Sequence, residues 1–219
     1  MKQSSRDTKK DFNDHAFALQ YIKHHRKMAE NFGKKAARRL SEHGVTKGTV
    51  LDMGCGFGLT DIVLAQNIPD INIVGIDLSD HLLRHAAQCL EESGLQQKIR
   101  FEKADVEKLP FDDDTFDAVL NINMVHLVDS PVKMLDEIER VLVPEGYLFI
   151  VDIRRSLIGL FEREFRSALS IDEAEALFAK TRIRDGHFSK NLLYWEFASG
   201  SVTSESSERV DLLDENCVH

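Results

Sequence analysis

Three glycines at alternate positions, Gly54, Gly56 and Gly58, stand directly behind the apolar run Thr49-Val-Leu-Asp52. Where a strand turns into a helix, such a loop lets the backbone turn sharply and lets a ligand approach it closely. The spacing is GxGxG. The dinucleotide fingerprint GxGxxG would put its third glycine at 59, where Leu59 stands. Asp77 closes the next apolar run about twenty residues past the loop, the interval expected of an acid that accepts hydrogen bonds from both hydroxyls of a ribose. Asp105 follows a third run, where it can accept from an adenine amino group while a neighbouring backbone amide, Val106 being next in line, reaches a ring nitrogen. Asp52, Asn121 and Asp152 close further runs in the same way. Five polar residues at successive strand ends, beside a glycine loop, describe one binding edge.

The elements that must hold this edge are legible from the alternation of patterns. Apolar runs at 49–52, 71–76, 99–102, 116–120 and 146–151 read as strands, and helical stretches separate most of them. One runs through about Asn67, one is capped by Ser79 or Asp80 and stopped by Gly94, and one covers Pro131 to Leu142. Strands alternating with helices of this length predict an α/β fold with a doubly wound, mostly parallel sheet covered on both faces. Ser170 looks like the cap of a helix over 171–180, and segments 183–189 and 192–198 can pair as an antiparallel hairpin at the sheet edge. Upstream, Met28, Phe32, Ala36 and Leu40 recur at one-turn spacing in a helix from about His15 to Leu40. The expected division is a helical cap over 1–46, the ligand-binding domain over 47–199, and a Ser- and Glu-rich tail over 200–219 that reads as disordered.

The chain has 219 residues, 42% of them hydrophobic and 30% charged, with a net charge of -9. This fits a globular protein and argues against electrostatic capture by nucleic acid or anionic membranes. Nothing near Met1 resembles a signal peptide and no stretch is long enough to span a bilayer, so a cytoplasmic setting is expected. Cys55, Cys89 and Cys217 are too scattered for a disulfide framework or a metal cluster. The helix also carries Lys23, Arg26, Lys27, Lys34, Lys35, Arg38 and Arg39, read as a solvated face, with a cap for an anionic substrate as the sharper reading.

The chain resembles the class I S-adenosylmethionine-dependent methyltransferases, and within them the small-molecule group of the ubiquinone/menaquinone-biosynthesis type. The motifs that carry this are Val50-Leu-Asp-Met-Gly-Cys-Gly-Phe-Gly58, Val74-Gly-Ile-Asp-Leu-Ser79, Ala104-Asp105, Leu109-Pro-Phe-Asp-Asp-Asp-Thr-Phe-Asp-Ala-Val-Leu120 and the run from Leu135 to Tyr147. The resemblance implies a Rossmann-like seven-stranded sheet ending in an antiparallel hairpin. It also implies a cofactor site of Asp52, Gly54, Cys55, Gly56, Gly58, Asp77, Leu78, Asp105, Val106, Asn121 and Ile122. The three glycines would line the methionine and ribose portions, and Asn121 with Ile122 would lie beneath the sulfonium. Asp52 would support the loop or reach the methionine ammonium.

S-adenosylmethionine already holds the reactive bond, so the protein has mainly to align a nucleophile and exclude water, and a base is needed only for a protonated nucleophile. His126, a few residues past the fourth strand, is the candidate base or else a locally packed side chain. His15, His24 and His25 are alternatives if their helix folds over the site. Arg154 and Arg155 either meet an anionic group of the substrate or form an ordinary charged loop, and no metal is expected. The expected reaction is methyl transfer to a small-molecule acceptor, leaving S-adenosylhomocysteine. RNA or protein methylation and a non-catalytic cofactor-binding role are the alternatives.

Overall fold

The computed structural model describes residues 12, 14–155, 167–183 and 186–199. Helix α1 spans His15–Glu42 and β1 spans Lys47–Met53, followed by α2 Leu59–Asn67, β2 Asp70–Asp77, α3 Asp80–Ser93 and β3 Ile99–Lys103. Then come β4 Phe116–Ile122, α4 Pro131–Val141, β5 Leu142–Ile153, α5 Ile171–Phe178, β6 Gly186–Lys190 and β7 Tyr194–Ser199. The strands form one seven-stranded sheet in the order β3-β2-β1-β4-β5-β7-β6. All neighbours pair in parallel except at β7, which is antiparallel to both β5 and β6. This is the mostly parallel, doubly wound sheet that the alternation predicted, with the seven strands and edge hairpin that the family resemblance implies.

The helices are built from local signals. Asp14 caps α1 by accepting from the Phe17 amide at 2.8 Å, and Ser79 caps α3 through the Leu82 amide. Gly94 ends α3 in the left-handed conformation, and Ser170 with Glu173 forms a reciprocal capping box at α5. Strand β5 begins at Leu142, four residues earlier than its apolar pattern indicates, because Leu142 pairs with Phe116 across an irregularity in the register.

Strand alternation sorts the core into two layers. Val50, Ile73, Leu120 and Phe149 face α1, α2 and α3, while Leu51, Val74, Val119 and Ile150 face α4, α5 and Trp195. Helix α1 buries Phe32, Ala36 and Leu40 against the first of these layers. Each fully buried large apolar side chain contributes about 1.5–3 kcal/mol relative to exposure. Its basic face is not uniformly solvated. Lys35 pairs with Glu196 of β7, and Arg39 reaches the same carboxylate at 3.5 Å. The expectation for Lys35 and Arg39 is thus corrected: Glu196 is 6% exposed, and a buried carboxylate needs cations beside it. The 200–219 tail lies outside the described residues. No helix among those described is long and apolar enough to cross a membrane.

The carboxyl edge of the sheet as a candidate cofactor site

Parallel pairing brings the carboxyl ends of β1, β2 and β4 side by side, with Met53 opposite both Ile76 and Asn121. The switch in strand order falls between β1 and β4, where ligands bind in open α/β sheets. The glycine loop emerges there. Gly54 and Cys55 donate their amides to the Ile76 carbonyl at 2.8 and 2.9 Å, and Gly56 has φ 55°. At Gly54 (φ 87°) a Cβ would strike Met124, whereas at Gly56 it would meet nothing within 4 Å. The loop therefore keeps clear space above Gly56 and cannot tolerate a side chain at Gly54 without displacing Met124.

Asp77 holds this loop from the side. Its Oδ2 accepts from the Gly56 amide at 3.0 Å and its Oδ1 from the Ser79 amide at 2.8 Å. Burial raises the Asp77 pKa, and these amides work against the rise. Each oxygen retains a second lone pair for a ligand hydroxyl. Leu78 beside it is 39% exposed, an apolar surface next to this carboxylate. Asp105 is exposed and accepts from the Glu107 amide at 2.9 Å, while Val106 behind it is buried. Ile122 ends β4 half-buried at the same edge.

Beneath the loop the site is short of donors. Asp52 is 2% exposed and Asp61, in the first turn of α2, is fully buried. Asp52 Oδ1 and both Asp61 oxygens lack a hydrogen-bond partner, apart from the proton the two acids can share. Burial pushes the Asp52 pKa up to about 7, and burial beside Asp52 pushes Asp61 well above the usual carboxylate range. Burial also drives the Cys55 thiol up, so it is no nucleophile at neutral pH. Across the switch, Asn121 is fully buried and gives its amide nitrogen weakly to the Met53 carbonyl at 3.4 Å, leaving Oδ1 without a donor. Asn123, at φ 57°, leaves its own Oδ1 buried and unpartnered. Each such acceptor costs about 1–3 kcal/mol. A cation rich in N–H and O–H donors, such as S-adenosylmethionine, fits this set.

His126 lies in a turn after β4, not on a helix, because the chain from Asn123 to Ser130 closes as a loop before Pro131 opens α4. Its Nδ1 is 2.6 Å from Asp152 Oδ1 and its amide donates to Asp152 Oδ2 at 3.1 Å. Arg154 donates to the Leu192 carbonyl at 3.3 Å and keeps a buried Nε without a partner, whereas Arg155 is engaged in an ion pair with Glu173. His24 and His25 bond the carbonyls of Gln20 and Tyr21 in their own helix, and His15 lies against His81. The start of α1 nevertheless reaches the site: Tyr21 packs edge-on to Phe57 of the glycine loop, and Ser79 Oγ donates to the Phe12 carbonyl. Among the described residues, no group of three or more His, Cys, Asp or Glu is arranged to hold a metal ion.

Sequence reasoning missed Asp61 and Asn123. An acid in the first turn of a helix is an ordinary partner of the helix dipole, so Asp61 announces nothing until its neighbours are seen. For Asn123 the signal was available, since asparagine is among the few non-glycine residues that tolerate positive φ after a strand.

Residues 51–150 match the family model described as a methyltransferase domain. Among curated proteins, an uncharacterized protein of Haemophilus influenzae is 38% identical over 125 residues, 55% of this chain and 49% of its own length. A phosphatidylethanolamine N-methyltransferase of Cereibacter sphaeroides is 28% identical over 155 residues, 71% of this chain and 70% of its own length. The chain spans about half or less of the length of the first curated relatives it matches. Among solved structures, a SAM-dependent methyltransferase from Aquifex aeolicus superposes with a TM-score of 0.66 at 23% identity, covering 90% of this chain and 98% of that one, which is a likeness of fold.

Proposed function

Residues 51–150 belong to the class I S-adenosylmethionine-dependent methyltransferase domains, and from that premise we propose that the chain transfers a methyl group to a small-molecule acceptor. The observation that carries this is the set of buried acceptors without donors at Asp52, Asp61, Asn121 and Asn123, beside a glycine loop held clear above Gly56. A nicotinamide dinucleotide would bring two phosphates, and five buried acceptor oxygens on these four residues suit a cation instead.

In this reading residues 1–46 cap the site and residues 47–199 hold the cofactor. Asp77 takes the ribose hydroxyls, with Leu78 against the base, and Asp105 and the Val106 amide read the adenine. Gly54, Cys55, Gly56 and Gly58 give the backbone of the cradle. Asn121 and Ile122 lie under the methionine portion, and Asp52 with Asp61 offsets its positive charge. When bound, S-adenosylmethionine supplies an electrophilic methyl on a charged sulfur and needs no metal. His126 takes a proton from the acceptor, and the Arg154 guanidinium, just past the end of β5, offers a positive charge to an anionic group on it. Relatives whose names specify phosphoethanolamine, phosphatidylethanolamine and sterol acceptors support the small-molecule class.

The test is a parallel thermal-shift and calorimetric titration of the chain with S-adenosylmethionine, S-adenosylhomocysteine, NAD and NADP. A ligand at a hundred times its dissociation constant adds about 2.7 kcal/mol, which moves the melting temperature by a few degrees. Stabilisation by the two adenosyl-sulfur compounds alone is the expected result. Stabilisation by a nicotinamide cofactor, or by none of the four, overturns the reading.

A further inference from the structure

The geometry points to Asp152 as the positioning residue for His126, and to an acceptor whose nucleophilic atom carries a proton: a hydroxyl or an amine, not a thiolate. This rests on the methyltransferase reading and extends it to the chemistry of the acceptor.

Asp152 is 1% exposed and is the penultimate residue of β5, on the face covered by α4 and α5, opposite Trp195. A carboxylate in such a place is costly unless ion-paired or fully hydrogen-bonded. No Lys or Arg among the described residues pairs with it. Among the described residues its hydrogen bonds all come from one residue 26 positions earlier: the amide of His126 to Oδ2 and the ring Nδ1 to Oδ1. Two contacts from one residue fix both where the ring sits and how it is turned.

They also fix its tautomer. A carboxylate only accepts, so the proton between Nδ1 and Oδ1 belongs to Nδ1, and the lone pair of the neutral ring is left on Nε2. Nε2 has no partner among the described residues, and it is not one of the sealed, unpartnered atoms. A base with its orienter is the arrangement used to activate a nucleophile, yet no hydroxyl or thiol of the described chain bonds this ring. The proton it is placed to receive therefore comes from a bound molecule. Anchoring the loop does not call for an imidazole. The Asn123 amide already ties it to the Val151 carbonyl at 2.8 Å, and the His126 amide ties it to Asp152.

The acceptor's lone pair forms the new bond to the methyl carbon while the carbon–sulfur bond breaks with its electrons staying on sulfur. The acceptor's O–H or N–H proton moves to Nε2. His126 becomes an imidazolium neutralised by Asp152 and returns the proton to water. A thiolate carries no such proton, and the pair would be idle with it.

The test uses the full chain with catechol and ethanolamine as proton-bearing acceptors and thiophenolate as the deprotonated control, following S-adenosylhomocysteine release. Asp152→Asn is expected to lower kcat on catechol or ethanolamine by about 100-fold or more with KM little changed, and to leave any thiophenolate reaction within about twofold. Equal losses on both kinds of acceptor, turnover on thiophenolate alone, or no turnover on any of the three by chain that binds S-adenosylmethionine overturns the inference. Long-range proton–nitrogen NMR on histidine-labelled protein, with His126→Gln to assign the ring, supplies a readout that needs no turnover. The expected wild-type tautomer is Nδ1–H, and an Nε2–H ring overturns the inference even if Asp152→Asn does not fold. Failure to bind S-adenosylmethionine at all is read separately, in the titration, as failure of the methyltransferase reading.

Discussion

Two clusters of buried charge sit on the same face of the sheet and are built in opposite ways. Beneath the glycine loop, Asp52 and Asp61 are two acids with no cation beside them. At the far side of α1, Glu196 is one acid held by two cations, Lys35 and Arg39, with the Arg39 guanidinium also 5.9 Å above the Phe149 ring. The carboxyl groups of both are buried, while the Lys35 and Arg39 side chains keep 16% and 15% exposure. The second has its charges balanced, with Arg39 Nε alone of its polar atoms left unpartnered, and fastens the first helix to the last strand. The first has no positive group beside it and holds itself together only through the proton its two acids share. Burial alone therefore says nothing about role, and the balance of partners says a great deal.

The comparison can be broken most severely at Asp77, which holds the loop lying above the incomplete cluster. Asp77→Ala is expected to abolish measurable binding of S-adenosylmethionine while far-ultraviolet circular dichroism stays native, and wild-type affinity in a native-like variant would remove Asp77 from the site. Glu196→Ala should do the reverse. It leaves the half-buried Lys35 without its counter-charge, while Arg39 keeps Glu42 at 3.8 Å, and costs about 1–3 kcal/mol of unfolding free energy, read in a urea titration, with cofactor affinity in the surviving folded protein unchanged. A loss of affinity as large as the loss of stability would show that the two clusters are not separate.

Asp61→Asn sharpens the contrast at smaller amplitude. The folded pKa of Asp52 is raised to about 7 against about 3.9 in the unfolded chain. The stabilising protonated form is fully present below the unfolded value and is lost as pH rises through 7. The cofactor-free chain should thus lose melting temperature between pH 5 and 8, and Asp61→Asn should flatten that slope and raise the melting temperature at pH 8 by a few degrees. Conversely, S-adenosylmethionine should bind more tightly as pH rises through 7 in the wild type, because its positive charge favours the ionised pair. A pH-independent wild-type melting temperature would refute the shared-proton account. The smallest effect is expected outside both clusters: Arg26→Ala breaks an exposed pair with Glu30 at 3.5 Å and should change stability by less than about 0.5 kcal/mol.

Much of this was legible in the chain itself. The alternation of apolar runs and helical stretches gave the strand sequence, because a strand buried on both faces must be apolar throughout and a parallel crossover must supply a helix. The glycines at 54, 56 and 58 and the acid at 77 were readable for a similar reason. A tight turn against a ligand leaves few residue types able to serve, and the distance from loop to acid is set by one helix and one strand. The far end of β5 was less legible, since its first residues extend the strand by pairing with Phe116 and not by their own polarity.

What only the tertiary structure decided is which polar residues meet. His126 and Asp152 are 26 positions apart, Lys35 and Glu196 are 161 apart, and no local pattern links either pair. Asp61 reads as a helix-start acid and Glu196 as the polar side of an edge strand. The fold turns one into a buried acid with no cation beside it and the other into an anchor. Sequence spacing reports the periodicities of helices and strands, and so determines the elements and the residues bound rigidly to their ends. Partnership between side chains depends on strand order and on which layer each face enters, and those follow from packing the whole chain at once.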